Sequence, residues 1–248
     1  ISAANAKGIG DVLDKVYNLL PDKNSEELET DIVKVAVIGK PNVGKSSLVN
    51  RILGEERLIV SNIAGTTRDA IDSNFENEFG KYTFIDTAGV RKKAKVNESI
   101  EKFSVMRTLF AIERSDVCLV LIDALEGVTD QDAKILGEAH EAGKGVILVV
   151  NKWDLVQKDE KTMQKMEKEL REQFKYLDYA PIVFVSAKEN KRVHLLLPLI
   201  QEVYENNRKR VATSVLNDIL IDAQTMNPTT TFNGGRLKIY YANQVAIC

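Results

Sequence analysis

The sequence predicts an α/β fold, a mostly parallel sheet flanked by helices, and two observations carry that expectation. Short apolar runs of strand length recur along the chain: IVKVAVI (32–38), KYTFID (81–86), VCLVLID (117–123), VILVV (146–150) and IVFV (182–185). Helix-length segments separate most of them, which is the spacing of βαβ crossovers. Composition agrees with a globular protein. Of 248 residues, 44% are apolar and 28% charged, and 34 Lys+Arg against 36 Asp+Glu leave a net charge of −2. This excludes a disordered chain and a histone-like polycation, so contact with nucleic acid would depend on local patches. The longest apolar stretches, such as 117–122, are too short to cross a bilayer, and no membrane partner is expected. Cys118 and Cys248 cannot build a disulfide framework, which points to a reducing, cytoplasmic setting.

Each element follows from its pattern. Residues 11–20 place Val12, Leu13, Val16, Leu19 and Leu20 on one helical face. Pro21 opens a polar, acidic stretch through 31 that reads as a linker. Over 71–79, Ile71, Phe75 and Phe79 fall in one phase and Asp72, Asn74, Glu76 and Glu78 in the other. That is a half-exposed strand, and its short link to 81–86 predicts an antiparallel edge. Met163, Met166, Leu170 and Phe174 form a helical stripe expected to pack in the core. The composition shifts at ENNRKR (205–210). Beyond it, 214–223 reads as an amphipathic helix and 236–247 as a strand. His140 and His194 have no ligand-type neighbours at metal spacing, so no transition metal is assigned.

The chemistry begins at GKPNVGKS: Gly39, Lys40, Pro41, Asn42, Val43, Gly44, Lys45 and Ser46, followed by Ser47. It matches G-x-x-x-x-G-K-[ST] without exception, after one strand and at the head of a helix carrying Leu48, Val49, Ile52 and Leu53. Gly39 and Gly44 let backbone amides turn toward phosphates, and the helix N-terminus adds its dipole. Lys45 is placed to neutralise β- and γ-phosphates and Ser46 to ligate Mg²⁺.

Three signals follow in order. DTAG (Asp86, Thr87, Ala88, Gly89) closes a strand and is followed by Val90. Asp86 can reach Mg²⁺ through water, and the Gly89 amide can meet a γ-phosphate. NKWD (Asn151, Lys152, Trp153, Asp154) and SAK (Ser186, Ala187, Lys188) each follow a strand, at the edge where open α/β sheets bind ligands. The Asp154 carboxylate suits the ring N–H and exocyclic amine of guanine, and the Ala187 amide suits its carbonyl. Adenine lacks that donor pair, so GTP or GDP is expected rather than ATP.

This set resembles the translation-factor-related GTPases, and GTTRD within AGTTRDAI (64–71) resembles the Era, TrmE (MnmE) and Der (EngA) group. The resemblance makes Thr67, with Thr66 as runner-up, the switch threonine that closes on Mg²⁺. Lys45, Thr67 and Gly89 are then the catalytic set. Many GTPases place a Gln after DxxG to orient water. Val90 cannot, and the resemblance implies instead a potassium ion held by Asn42, with Ile63 and Thr66 completing its cage. RKKAK (91–95) falls in the implied second switch and reads as a solvated basic loop.

Ser2-Ala3 and the helix after them repeat the order of 185–203, so the first twenty residues resemble the end of another GTPase domain. Two successive GTPase domains mark the Der (EngA) family. LNDILIDAQTMNP and RLKIYYANQVA resemble the start of that family's C-terminal KH-like domain, a partial α+β unit here. The implied organisation is 1–20 closing a first GTPase domain, 21–31 linker, 32–207 the second, and 208–248 the truncated KH-like start. No GxxG clamp of the kind KH domains use on RNA is visible in that tail. The family implies a monomeric cytoplasmic switch that binds GTP and GDP and acts with the large ribosomal subunit and its rRNA in bacterial ribosome assembly. A tRNA-modification GTPase of the TrmE kind and a nucleotide-gated scaffold with incidental hydrolysis stay open.

Overall fold

The computed structural model describes residues 15–16, 32–55, 72–85, 100–157, 159–232 and 235–245. These fall in two compact units, one within Glu29–Asn207 and one that includes Arg208–Ile247. Lys15 and Val16 are helical; the rest of the expected 11–20 helix lies outside the described residues, as do the linker and 91–95.

The first unit alternates strands and helices. β1 (Ile32–Ile38) leads through the phosphate-loop motif to α1 (Lys45–Glu55). β2 (Ser73–Asn77) and β3 (Gly80–Ile85) form a hairpin, followed by α2 (Ile100–Arg114). Then come β4 (Val117–Asp123), α3 (Asp130–Glu141), β5 (Gly145–Asn151), α4 (Thr162–Gln173), β6 (Ile182–Phe184) and α5 (Leu196–Asn207). The sheet order is β2-β3-β1-β4-β5-β6, with every pairing parallel except β2 with β3. The antiparallel edge and the parallel body are thus those the apolar pattern predicts.

Side chains of a strand alternate between faces, so a sheet covered on both sides needs apolar residues in both phases. β4 shows this. Cys118, Val120 and Ile122 join one core with Val146, Leu148 and Val150 of β5, packed with Leu136, Leu170, Phe174 and Phe184. Leu119 and Leu121 join the other with Ile147 and Val149, packed with Leu48, Ile52, Leu196 and Ile200. All seven residues of β4 and of β5 are buried.

The amphipathic stripes thin out at their ends. Phe75 is buried, but Phe79 lies in the β2–β3 turn and is exposed, because the strand has already ended at Asn77. Leu170 and Phe174 are core, Met166 packs partly against them, and Met163 stays exposed, its Sδ 3.4 Å from an Arg192 guanidinium nitrogen. The expectation that Met163 is core is therefore corrected: it sits in the first turn of α4, beyond the reach of the sheet.

The second unit holds α6 (Thr213–Met226) and a two-residue hairpin, β7 (Thr231–Phe232) with β8 (Gly235–Arg236). The sequence predicts a strand over 236–247. Within the described residues the ladder stops at Arg236, and 237–245 pairs with no strand. Side-chain amides of α6 take the ladder's place. The Gln224 amide donates to Ile239 O at 2.8 Å and accepts from Ile239 N at 2.7 Å. Asn217 does the same at Ala242, both at 2.8 Å. A primary amide carries a donor and an acceptor side by side, as a neighbouring strand would.

Candidate nucleotide site

Because β1, β3, β4, β5 and β6 run parallel, their carboxyl ends share one edge, and the sequence motifs follow β1, β5 and β6 directly. The phosphate loop turns tightly there. Gly39 has φ +141°, and a Cβ on it would stand 2.7 Å from Leu121 O. At Gly44, φ is +103° and a Cβ would stand 2.2 Å from Asn151 Nδ2. No side chain fits at either place, so glycine is required by both backbone angle and space. Asn42 also takes a positive φ, 61°, and is exposed with Pro41, while Val43 is buried.

Lys45 opens α1 and its ammonium folds back to donate to Gly39 O and Lys40 O, each at 2.7 Å. Burial lowers its pKa to about 8, although the charge of Asp132 works the other way. Ser46 and Ser47 stand in the first turn of α1, Ser46 half-buried and Ser47 exposed. The Lys40 side chain turns away from the loop: its ammonium lies 2.6 Å from Glu126 and 3.7 Å from buried Asp132. Burial alone would lower its pKa, but the Glu126 hydrogen bond and the charges of Asp132, Glu126 and Asp123 outweigh it and hold the pKa above the ordinary lysine value. Any contact of Lys40 with a phosphate thus falls to its backbone.

Asn151 ties the two halves of the site. Its amide nitrogen donates to Val43 O at 2.8 Å in the phosphate loop, and its oxygen accepts from Ala187 N at 3.1 Å. The Ala187 amide, expected to meet a base carbonyl, therefore already has a partner in Asn151. Lys152 takes φ +62° and pairs with Asp123 at 2.5 Å, the residue that ends β4. Burial pushes the Asp123 carboxyl up, but the Lys152 hydrogen bond and backbone amides hold it below its ordinary value. Trp153 is buried against Phe184, ring centroids 4.6 Å apart, which leaves half-buried Asp154 beside it on the loop. In the third motif, Ser186 bridges Lys191 through both backbone bonds, and its hydroxyl accepts from Glu189 N at 3.0 Å. Ala187 is buried and Lys188 exposed.

The structure thus brings the 39–46 loop, Asn151–Asp154 and Ser186–Lys188 to one edge. Ile63, Thr66, Thr67, Asp86, Thr87, Ala88, Gly89 and Val90 lie outside the described residues. Sequence reasoning missed four side chains here: Arg51, Asp123, Glu126 and Asp132. Asp123 carried a faint signal, a single acid ending an otherwise apolar run, and Asp132 stands three residues after Thr129 in the spacing of a helix capping box; Arg51 and Glu126 carried none.

Residues 34–152 match the family model described as 50S ribosome-binding GTPase, and 210–248 match the KH-domain-like C-terminal model of EngA bacterial GTPase enzymes. Over 247 of its 248 residues, the chain is 60% identical to GTPase Der of Geobacillus thermodenitrificans and 57% identical to GTPase Der of Staphylococcus carnosus. This chain is similar to the Der (EngA) GTPases along its own length. It spans 57% of the length of those Der relatives. Among solved structures, Era in complex with MgGDPNP and a segment of 16S ribosomal RNA superposes with a TM-score of 0.54 at 30% identity, over 69% of this chain and 56% of Era. A GTP-binding protein described as engB matches at 0.52 and 21% identity, over 70% of this chain and 99% of its own, and shares the fold alone.

Proposed function

We propose that this chain binds GTP and GDP and hydrolyses GTP as a Mg²⁺-dependent switch. The observation that carries this is the Asn151 amide, which joins the phosphate loop to the base-reading loop and so sets Lys45 and Asp154 in one frame. The similarity to GTPase Der and to the 50S ribosome-binding GTPase model supports the same reading. Water attacks the γ-phosphorus, the bond to the bridging oxygen breaks, and GDP and phosphate leave. Lys45 neutralises charge on the phosphates, Thr67 closes over them, and the Gly89 amide meets the γ-phosphate. Asp154 selects guanine through its two oxygens.

The oxygen donors Ser46, Thr67 and, through water, Asp86 suit a hard divalent cation and would hold Mg²⁺. Bound there, the metal neutralises phosphate charge. Asn42, Ile63 and Thr66 would hold K⁺, which offsets charge on the transferring phosphoryl where Val90 supplies no side-chain hydrogen bond.

The same reading takes 32–207 as the second GTPase domain, 1–20 as the end of a first joined through 21–31, and 208–248 as the start of the KH-like domain. It places the protein in the cytoplasm as a monomer acting on the large ribosomal subunit and its rRNA. Among the described residues no helix is long and apolar enough to cross a membrane.

The test is nucleotide selectivity. Asp154→Asn replaces an acceptor by a donor, so affinity should move from GTP toward XTP, and hydrolysis should follow it. Unchanged preference for GTP in that variant refutes the assignment of Asp154. Equal turnover in matched KCl and NaCl refutes the K⁺ site. Co-sedimentation with large ribosomal subunits in the GTP-analogue state but not with GDP supports the partner, and absence of binding in both states refutes it for this chain.

A further inference from the structure

Arg51 belongs to no motif, yet it connects the two ends of the candidate site. It stands on α1 six residues after Lys45, roughly 9 Å along the helix at 1.5 Å per residue. From there Nε donates to Ala187 O at 3.4 Å and Nη2 to Lys188 O at 3.1 Å. The backbone of Ala187 is therefore held on both sides, its N–H by Asn151 and its C=O by Arg51. A guanidinium presents its donors in a fixed fork, so two successive carbonyls fix both the height and the tilt of the loop.

We infer that Arg51 is a positioning residue for base recognition: it sets the Ala187–Lys188 backbone at the guanine carbonyl edge, in register with the phosphate loop that begins the same helix. The inference rests on the guanine-nucleotide reading above and names a determinant of it. Arg51 touches no nucleotide atom in this scheme. It acts through the loop, on the carbonyl side of the base, whereas Asp154 acts on the amine side.

The experiment compares wild type, Arg51→Ala and Arg51→Lys by calorimetric titration of the full chain with GDP, IDP and pyrophosphate, each with Mg²⁺. IDP keeps the base carbonyl and lacks the exocyclic amine that Asp154 reads. Arg51→Ala should weaken GDP and IDP by the same factor, roughly tenfold or ~1.4 kcal/mol, within what a charge-assisted hydrogen bond contributes. Pyrophosphate, which uses the phosphate loop alone, should bind as in wild type. Arg51→Lys keeps the charge and stem but not the fork and should fall between, roughly threefold to fivefold weaker than wild type.

A GDP affinity within twofold of wild type in either variant overturns the inference. So does a parallel loss for pyrophosphate, which would mean that the whole site has shifted, or a loss that differs between GDP and IDP. If Arg51→Ala does not fold, Arg51→Lys decides alone by the same criterion. Wild type that binds pyrophosphate but shows no preference for GDP over ADP overturns the guanine reading itself, and this result is distinct from any change confined to the variants.

Discussion

Lys40→Met isolates the worth of one buried ion pair. The Lys40 ammonium, 3.7 Å from a fully buried Asp132, is close enough for about 4 kcal/mol of attraction at an effective dielectric of ~20. The closer contact, 2.6 Å to Glu126, counts for less because that carboxylate is 62% exposed and water screens it. Removing the cation leaves Asp132 with the Thr129 hydroxyl and amide at one oxygen, no hydrogen-bond partner at the other, and only the longer-range charge of Lys45 to offset it. Breaking a buried pair from one side costs about 3–5 kcal/mol, since a charge stays behind without compensation. With an m-value of ~2 kcal/mol/M, the urea midpoint should fall by roughly 2 M. The chain's single tryptophan, Trp153, is buried in the α/β unit, so its fluorescence follows this unit without interference from the second. Lys40→Met with Asp132→Asn removes both charges and should recover at least half of the loss. A midpoint shift under ~0.5 M in the single variant, or a double variant no more stable than it, would show that the pair contributes nothing and that the reasoning is wrong.

Gly44→Ala should abolish measurable GDP binding, because its Cβ meets the Asn151 amide nitrogen at 2.2 Å and φ is +103°; titration checks it, and retained affinity would show that the loop can move aside. With Lys45 at about 8 in the free site, its proton is lost as pH rises past that value, so GDP affinity should fall up to tenfold per pH unit above it, with proton uptake seen as a buffer-dependent binding enthalpy. The same depressed lysine makes the nucleotide-free fold gain stability between about pH 8 and 10.5, because there the unfolded chain binds more protons; urea titrations across that range test the sign. Leu148→Ala, at a side chain 1% exposed in the interior strand β5, should cost about 3 kcal/mol in the same urea assay with Trp153 as probe.

Much of this was legible from residue order because it is local. Strands covered on both faces must be apolar in both phases, and β4 and β5 are; a half-covered edge must alternate, and β2 does. The motif loops could be placed because each directly follows a strand, and parallel strands send all such loops to one edge. What could not be read is partnership at a distance. Arg51 meets carbonyls 136 and 137 residues away, and Lys152 meets an acid 29 residues away. No spacing in the sequence encodes such pairs, since they depend on which strands become neighbours. The tail failed for a different reason. Residues 236–247 have strand composition, but strand propensity describes side-chain fit and not the identity of the partner, and here the partner along 237–245 is a helix offering Asn217 and Gln224.

The order β2-β3-β1-β4-β5-β6 also bears on how the domain is made. β1, which emerges first, ends in the interior of the sheet, with the hairpin on one side and every later strand on the other. After the hairpin docks, β4, β5 and β6 join the same open side in the order of their synthesis. No strand must be inserted between two already paired. A ribosome delivering residues from the N-terminus thus presents each new strand to an edge already waiting, and the growing sheet never has to reopen to admit one. The exposed edge moves outward as translation proceeds and is closed last by a three-residue strand, Ile182–Phe184, too short to template pairing with a neighbouring nascent chain.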